Sequence, residues 1–481
     1  MPTLLTSWSS ALLVGVLLAC TSDPVGNNAG GGTVDGGAVH PDGGPAPLDA
    51  GQGADAAVPP YDTVECPDWD GTDAIWDPVP GDLEVPRDLG RVLSCVRARS
   101  YTRSQVSATQ YFRYLGWSAE NGVHALTIQY VSQGPAGVPR RVTASVVVPS
   151  DVVGPFPLVT VGHGTTGMGP ACGVTHDPDY VNYLALPLAG RGFAVVATDY
   201  AGMGVDDGVS PYLVGEGEAF NVLDAARAAR RLHTALFDGP SDLSGDLLVL
   251  GHSQGGHAAL FAHQHFHAAE GLRVLGTVAI APGVGTQQGM GPFIATGTRP
   301  TDFSTVATTM SLYAAHHYFG GVALADWLTP GAAAQVPGLL HDDCLDALLT
   351  SLPRAFPTHA DLFTASFRTA ASGCLFDGSP CPAFEPWASW INAAVPGDFS
   401  STVPVMVIQG LQDTTVPPAT TACIVDRLRA RATPVQACAY PRSDHVMVAL
   451  DAMGDAVAWM RARLDGGVLP PCAAELTATC P

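Results

Sequence analysis

The sequence predicts an α/β fold, a mostly parallel sheet covered by helices on both faces and interrupted by one helical insertion. Three observations predict it. From residue 157 onward, short apolar or β-branched runs alternate with segments of helical periodicity. A Gly251-His252-Ser253-Gln254-Gly255 stretch joins the apolar run 247–250 to a helix-like segment at 256–262. Between residues 280 and 403 lie about 120 residues that break the alternation and are too long for an ordinary crossover.

The chain begins with an export pattern. Residues 11–19 are an apolar core followed at once by Cys20, and that core is too short to span a bilayer as a permanent helix. Leu17-Leu18-Ala19-Cys20 resembles the bacterial lipobox, which implies that the Cys20 thiol is lipidated and becomes the mature N-terminus. Residues 1–10 carry no Lys or Arg, a departure from the usual basic start. Residues 1–20 are therefore expected to be a lipoprotein-type signal, with plain secretion as the alternative. Residues 21–60 are rich in Gly, Ala, Asp and Pro and cannot bury enough to fold. They are expected to tether a domain spanning 61–481 to a membrane surface.

Composition bounds the partners. The 481 residues are 47% hydrophobic, enough for a large core, and the formal net charge is -22 with every cation an Arg. That balance argues against a nucleic-acid backbone as partner. Eleven Cys are present, and setting Cys20 aside leaves ten, an even number that suggests up to five disulfides in an exported chain. Spacing does not fix their connectivity; Cys472 with Cys480 and Cys423 with Cys438 are the nearest local pairs. No Cys-x2-Cys pair exists, so a zinc site is not expected.

Within the domain, residues 61 to about 116 read as an irregular wrap containing Trp69, Trp76, Cys66 and Cys95. Strands 123–131 and 141–148 form a hairpin around Gly134-Pro135-Ala136-Gly137, and 157–161 and 192–198 are the next two. Helices follow at 181–189 and 216–236. Later strands are expected at 247–250, 274–280, 403–408 and 434–439, with helices at 419–432 and 446–464. The interval at about 283–402 carries Trp327, Phe363 and Trp387 and reads as a cap over the carboxyl ends of the strands, where ligands bind in open α/β sheets.

A Gly-x-Ser-x-Gly at a strand-to-helix junction is a nucleophile elbow, which holds the Ser in a strained turn with its Oγ exposed. Such a serine needs a base, a carboxylate to orient the base, and donors for an oxyanion. In α/β-hydrolases the chain order is Ser, then Asp or Glu, then His. Asp413 follows the strand 403–408, and His445 follows the last strand, so Ser253, Asp413 and His445 are the expected triad. Asp426 and Asp444 are the fallback acids. The oxyanion donors are expected to be the N–H of Gln254, next to the nucleophile, and that of Thr165 in the loop Gly162-His163-Gly164-Thr165-Thr166-Gly167, with Thr166 the alternative.

That loop, Ala197-Thr198-Asp199-Tyr200-Ala201-Gly202-Met203-Gly204, Pro211-Tyr212-Leu213-Val214-Gly215 and Gly251-His252-Ser253-Gln254-Gly255-Gly256-His257 together resemble the secretory lipase family of α/β-hydrolases. The resemblance is dense over residues 145–283 and implies a capped hydrolase acting on carboxylic esters, lipids included, without a cofactor. Two other readings stay open: a serine peptidase on the same fold, and a non-catalytic cell-surface binding protein that uses the cap as a recognition face. His263 and His267 share a helix face and read as a solvated surface pair rather than a metal site. His163 and Asp199 are expected to shape the loops near the site.

Overall fold

Alternating runs buried on both faces become the central strands of a nine-stranded sheet, seen in a computed structural model that describes residues 62–233, 243–269, 271–283, 294–376 and 379–480. Cys20 and the expected tether at 21–60 lie outside the described residues. The strands are β1 (Val92–Tyr101), β2 (Gly122–Gln133), β3 (Pro139–Ser150), β4 (Phe156–Gly162), β5 (Ala194–Thr198), β6 (Leu243–His252), β7 (Arg273–Ile280), β8 (Val405–Gly410) and β9 (Val435–Tyr440). Their order is β9-β8-β7-β6-β4-β5-β3-β2-β1. Pairing is parallel from β9 to β5, while β3 joins β5 antiparallel and the β1-β2-β3 meander is antiparallel. This is the α/β-hydrolase arrangement, with the order reversing at β4, beside which β6 lies on one side and β5 on the other.

Every residue of β5 and β8 is buried, as two-sided cover requires. One layer includes Ala219, Val222 and Leu223 of α2 (Gly215–Arg231) and Ala258 and Phe261 of α3 (Gln254–Gln264). The opposite layer includes Leu184 and Leu188 of α1 (Pro178–Ala189) and Trp459 of the last helix, Met453–Asp465. The insertion builds its own core around Trp327, Trp387, Phe363 and Phe367, and Tyr212, Leu213 and Val214 from the main body are part of that cluster.

Several expectations need correction. The wrap at 61–116 contains a ten-residue strand, β1, together with the short helices Arg103–Ser107 and Gln110–Leu115. Polar residues and two register breaks, at Val92/Ser94 and Arg97/Arg99, hide the alternation that would have announced it. The helix expected at 216–236 ends at Arg231, and that at 446–464 is two pieces, Val448–Asp451 and Met453–Asp465.

The five disulfides are Cys66–Cys95, Cys172–Cys344, Cys374–Cys381, Cys423–Cys480 and Cys438–Cys472. Neither nearest local pair forms, because the chain after the last helix returns along β9 and carries Cys472 to Cys438. There Ala474 O accepts from Ala439 N (2.8 Å) and Leu476 N donates to Ala437 O (3.0 Å). At the other edge Arg97 N donates to Pro67 O (2.7 Å) and Trp69 N to Arg97 O (3.1 Å), beside the Cys66–Cys95 bridge. Such bridges belong to chains that mature in an oxidising compartment. Among the described residues no helix is long and apolar enough to cross a membrane.

Cys172–Cys344 closes a separation of 172 residues and Cys374–Cys381 one of 7. On loop-closure entropy alone the first is worth about 5 kcal/mol and the second about 2. Replacing Cys172 and Cys344 by Ala should therefore lower the urea midpoint more than replacing Cys374 and Cys381, a ranking that equilibrium unfolding of the two double variants measures directly.

Candidate active site

β6 ends at His252 and α3 begins at Gln254, leaving Ser253 alone at the turn with φ 60° and ψ -121°. A non-glycine residue rarely adopts this backbone, and here the surroundings fix it. Ser253 N donates to Ile280 O (2.9 Å), and Ser253 O accepts from Gly283 N (2.8 Å) and His257 N (3.1 Å). The flanking glycines are needed for contact between main chains. A Cβ on Gly251 would lie 1.9 Å from Gly255 O, and one on Gly255 would lie 1.8 Å from Gly162 O.

Asp413 sits in the loop after β8 and is 4% exposed. Its Oδ1 accepts from Thr415 N (2.9 Å) and Val416 N (2.8 Å), and its Oδ2 from Gln409 Nε2 (3.1 Å). These bonds leave Oδ2 facing His445, whose Nδ1 is 2.7 Å away, while His445 Nε2 is 2.8 Å from Ser253 Oγ. The three expected residues thus lie in one hydrogen-bonded row. The fallback acids lie elsewhere: Asp444 Oδ1 accepts from Met447 N (2.8 Å), and Asp426 faces Arg429 at the surface, 3.9 Å away.

Two residues that sequence reasoning left unassigned hold the imidazole's backbone. His252 Nε2 donates to His445 O (2.8 Å), and its Nδ1 accepts from Tyr183 Oη (2.9 Å), so its tautomer is set by its neighbours. Its ring lies over that of His445, centroids 5.0 Å apart. Burial, and next the charge of His445, push His252 down to about 3, which keeps it neutral. Its place inside the elbow motif was the one signal available.

Gln254 is the first helical residue, so its N–H has no carbonyl within α3 to bond. Thr165 lies in the loop after β4, 7% exposed, with Oγ1 3.0 Å from Tyr212 Oη. Next to it, Thr166 O accepts from Leu345 N of the insertion (2.8 Å), and Cys172–Cys344 binds the same two segments covalently. In this loop His163 is buried and held down to about 4 by desolvation, its Nδ1 2.6 Å from Gly164 O.

Asp199, at the end of β5, accepts from Thr143 Oγ1 (2.6 Å), Thr175 N (2.9 Å) and Thr175 Oγ1. Burial outweighs these bonds and pushes its carboxyl up to about 6. His263 is not a surface residue as expected: it is fully buried between Thr277 Oγ1 and Ser401 Oγ, 2.9 Å from each, and stacks on Phe399. The insertion covers the helix face that would otherwise meet solvent.

The model of the Prolyl oligopeptidase family matches residues 377–465, a stretch that holds β8, Asp413, β9 and His445. No curated protein matches the chain. Among solved structures, the ligand-bound rice cell wall degrading esterase LipA from Xanthomonas oryzae superposes with a TM-score of 0.65 at 20% identity, over 79% of this chain and 100% of that one. Candida antarctica lipase A in its closed state gives a TM-score of 0.56 at 16% identity, over 82% of this chain and 86% of that one. At such identities the shared property is the α/β-hydrolase fold.

Two outcomes follow from the packing. Gly255→Ala must push a Cβ into Gly162 O and should destabilise the protein by about 3 kcal/mol or more, read from thermal unfolding. For Asp199, the folded carboxyl keeps its proton to about pH 6, whereas the unfolded one releases it near 3.8. The native state therefore binds more protons between those values, and stability from this group is present below about pH 4 and lost as pH rises to 6. The wild type should lose about 3 kcal/mol across that window relative to Asp199→Asn, measured by urea unfolding at several pH values.

Proposed function

We propose that this chain, an α/β-hydrolase by fold, is an exported serine hydrolase that cleaves carboxylic esters through an acyl-enzyme. One observation carries the reading: the unbroken hydrogen-bond row from Ser253 Oγ through His445 to Asp413 Oδ2, at 2.8 and 2.7 Å. In this mechanism His445 Nε2 takes the Ser253 proton as Oγ attacks the acyl carbonyl, and Asp413 holds the imidazole in the tautomer that accepts it. The N–H groups of Gln254 and Thr165 receive the oxyanion. His445 returns the proton to the leaving alcohol, and a water activated by the same imidazole then releases the acid. No cofactor enters these steps.

Two of the solved structures similar to this chain are named an esterase and a lipase, which supports esters as substrates. The family-model match favours a second reading, cleavage of peptide amides, because the same residue set attacks either carbonyl. The domain organisation we propose is a signal at 1–20 ending in lipidated Cys20, a tether at 21–60, and a catalytic domain at 61–481 with the cap at about 283–402. The five disulfides support export, and lipidation of Cys20 would hold the enzyme at the cell envelope.

A fluorophosphonate probe should label the wild type and not Ser253→Ala. On p-nitrophenyl esters from acetyl to palmitoyl, Ser253→Ala and Asp413→Asn should each lower kcat by about 10⁴-fold or more. Absence of labelling of the folded wild type would remove the serine-hydrolase reading, and turnover of a peptide panel without ester turnover would replace it by the peptidase. Membrane fractionation of Cys20→Ala, expected to shift the protein to the soluble fraction, tests the anchor.

A further inference from the structure

Behind the reactive row lies a second polar cluster, sealed from solvent. Glu218 of α2 is fully buried, and its carboxylate binds three residues on two segments, the turn before α2 and the start of α3. Oε1 accepts from Leu213 N (2.9 Å) and from Gln254 Nε2 (2.9 Å), and Oε2 is 2.7 Å from His257 Nδ1. His257, 1% exposed and one turn beyond Gln254 on α3, has its Nε2 3.0 Å from Ala394 O at the end of the insertion's helix Trp387–Ala393. A carbonyl only accepts, so Nε2 donates, and one proton remains to be shared between Nδ1 and Oε2.

Each contact leads to the oxyanion donors. Gln254 is itself one of them, and its side chain is tied to Glu218. Leu213 stands at φ 55°, and the bond from its N–H to Glu218 helps hold that backbone. The adjacent Tyr212 Oη reaches Thr165 Oγ1 at 3.0 Å, on the other donor's residue. Leaving a carboxylate in so dry a place is costly unless its oxygens are hydrogen-bonded, and these bonds satisfy it. The same bonds give the carboxylate a grip on both halves of the hole.

From this arrangement we infer that Glu218 is a positioning residue for the oxyanion hole, aligning Gln254 directly and Thr165 through Leu213 and Tyr212, with His257 and the cap carbonyl at Ala394 as its backing. The inference rests on the serine-hydrolase reading of Ser253. Glu218 touches no substrate. Its effect falls on the transition state, because the charge that the two N–H groups receive exists only there.

The test compares Glu218→Ala, Glu218→Gln and Tyr212→Phe with the wild type for kcat and KM on p-nitrophenyl butyrate, alongside circular dichroism and thermal unfolding. Glu218→Ala should lower kcat by about 10²-fold with KM within about twofold, since misplaced donors weaken transition-state and not ground-state binding. Glu218→Gln keeps an acceptor toward Leu213 and Gln254 and a donor toward His257, and should restore kcat to within about fivefold of wild type. Tyr212→Phe should lower kcat by about fivefold at unchanged KM and unfolding temperature, and this arm reads the proposal even where Glu218→Ala does not fold. Wild-type kcat in a folded Glu218→Ala, or in Tyr212→Phe when Glu218→Ala fails to fold, would overturn the inference. A wild type that neither turns over esters nor takes up a fluorophosphonate would instead remove the reading beneath it.

Discussion

Three main-chain segments meet at the turn that carries Ser253, with no side chain between them. Gly251 is the penultimate residue of β6, Gly255 the second of α3 and Gly162 the last of β4, and the carbonyls of Gly255 and Gly162 occupy the space where Cβ atoms would stand. Register pairs Gly162 with Gly251, so the contact lies on the very row where the strand order reverses. Holding Ser253 at φ 60° costs on the order of 1–3 kcal/mol. The hydrogen bonds to Ile280 O and from Gly283 N, together with burial of both flanking strands, offset it. Nothing larger than glycine at these positions would let Oγ rise above the sheet while bringing the loop after β4 close enough to serve it.

The sheet then delivers the remaining groups by simple geometry. Parallel strands end on the same side, so loops after β4, β6, β8 and β9 converge although they are hundreds of residues apart in the chain. This is why the hydrogen-bonded row of Ser253, His445 and Asp413 was legible: a glycine-bounded Ser, an Asp after one apolar run and a His after the next are local patterns whose meeting the topology guarantees. β1 was not legible, because an edge strand needs only one buried face and bulges break its alternation. The pairing of Cys438 with Cys472 depends on a return of the chain along β9 that no local signal announces. Glu218 shares the first turn of α2 with the exposed Glu216, and no local pattern sets the buried acid apart from the solvated one. His263 was misread for the same reason, since what covers a helix face is a tertiary fact.

The insertion is joined to the main body where the chemistry is proposed to occur. Thr166 O receives Leu345 N, Cys172 is bonded to Cys344, and Tyr318 Oη donates to Val209 O. Its aromatic core also absorbs Tyr212 and Leu213, which neighbour the loop after β4. A displacement of the insertion would therefore pull on the loop after β4 as well, so under the proposed function the residues choosing the substrate and those stabilising its transition state belong to one mechanical unit.

The two edges of the sheet share a construction. Residues 67–69 lie along β1 and residues 474–476 along β9, each hydrogen-bonded to the strand and each riveted next to it by a disulfide. An uncovered outer strand offers a ladder of free amides and carbonyls onto which another chain can add, the route to cross-chain sheets. Here those ladders are partly occupied by the chain's own flanking segments, and the bridges keep the cover from peeling away. A protein working outside the cell meets no chaperones that require ATP, so resistance to intermolecular strand addition must be built in covalently. On this view the Cys66–Cys95 and Cys438–Cys472 bonds serve solubility over a long working life, while Cys172–Cys344 ties the insertion to the segment after β4.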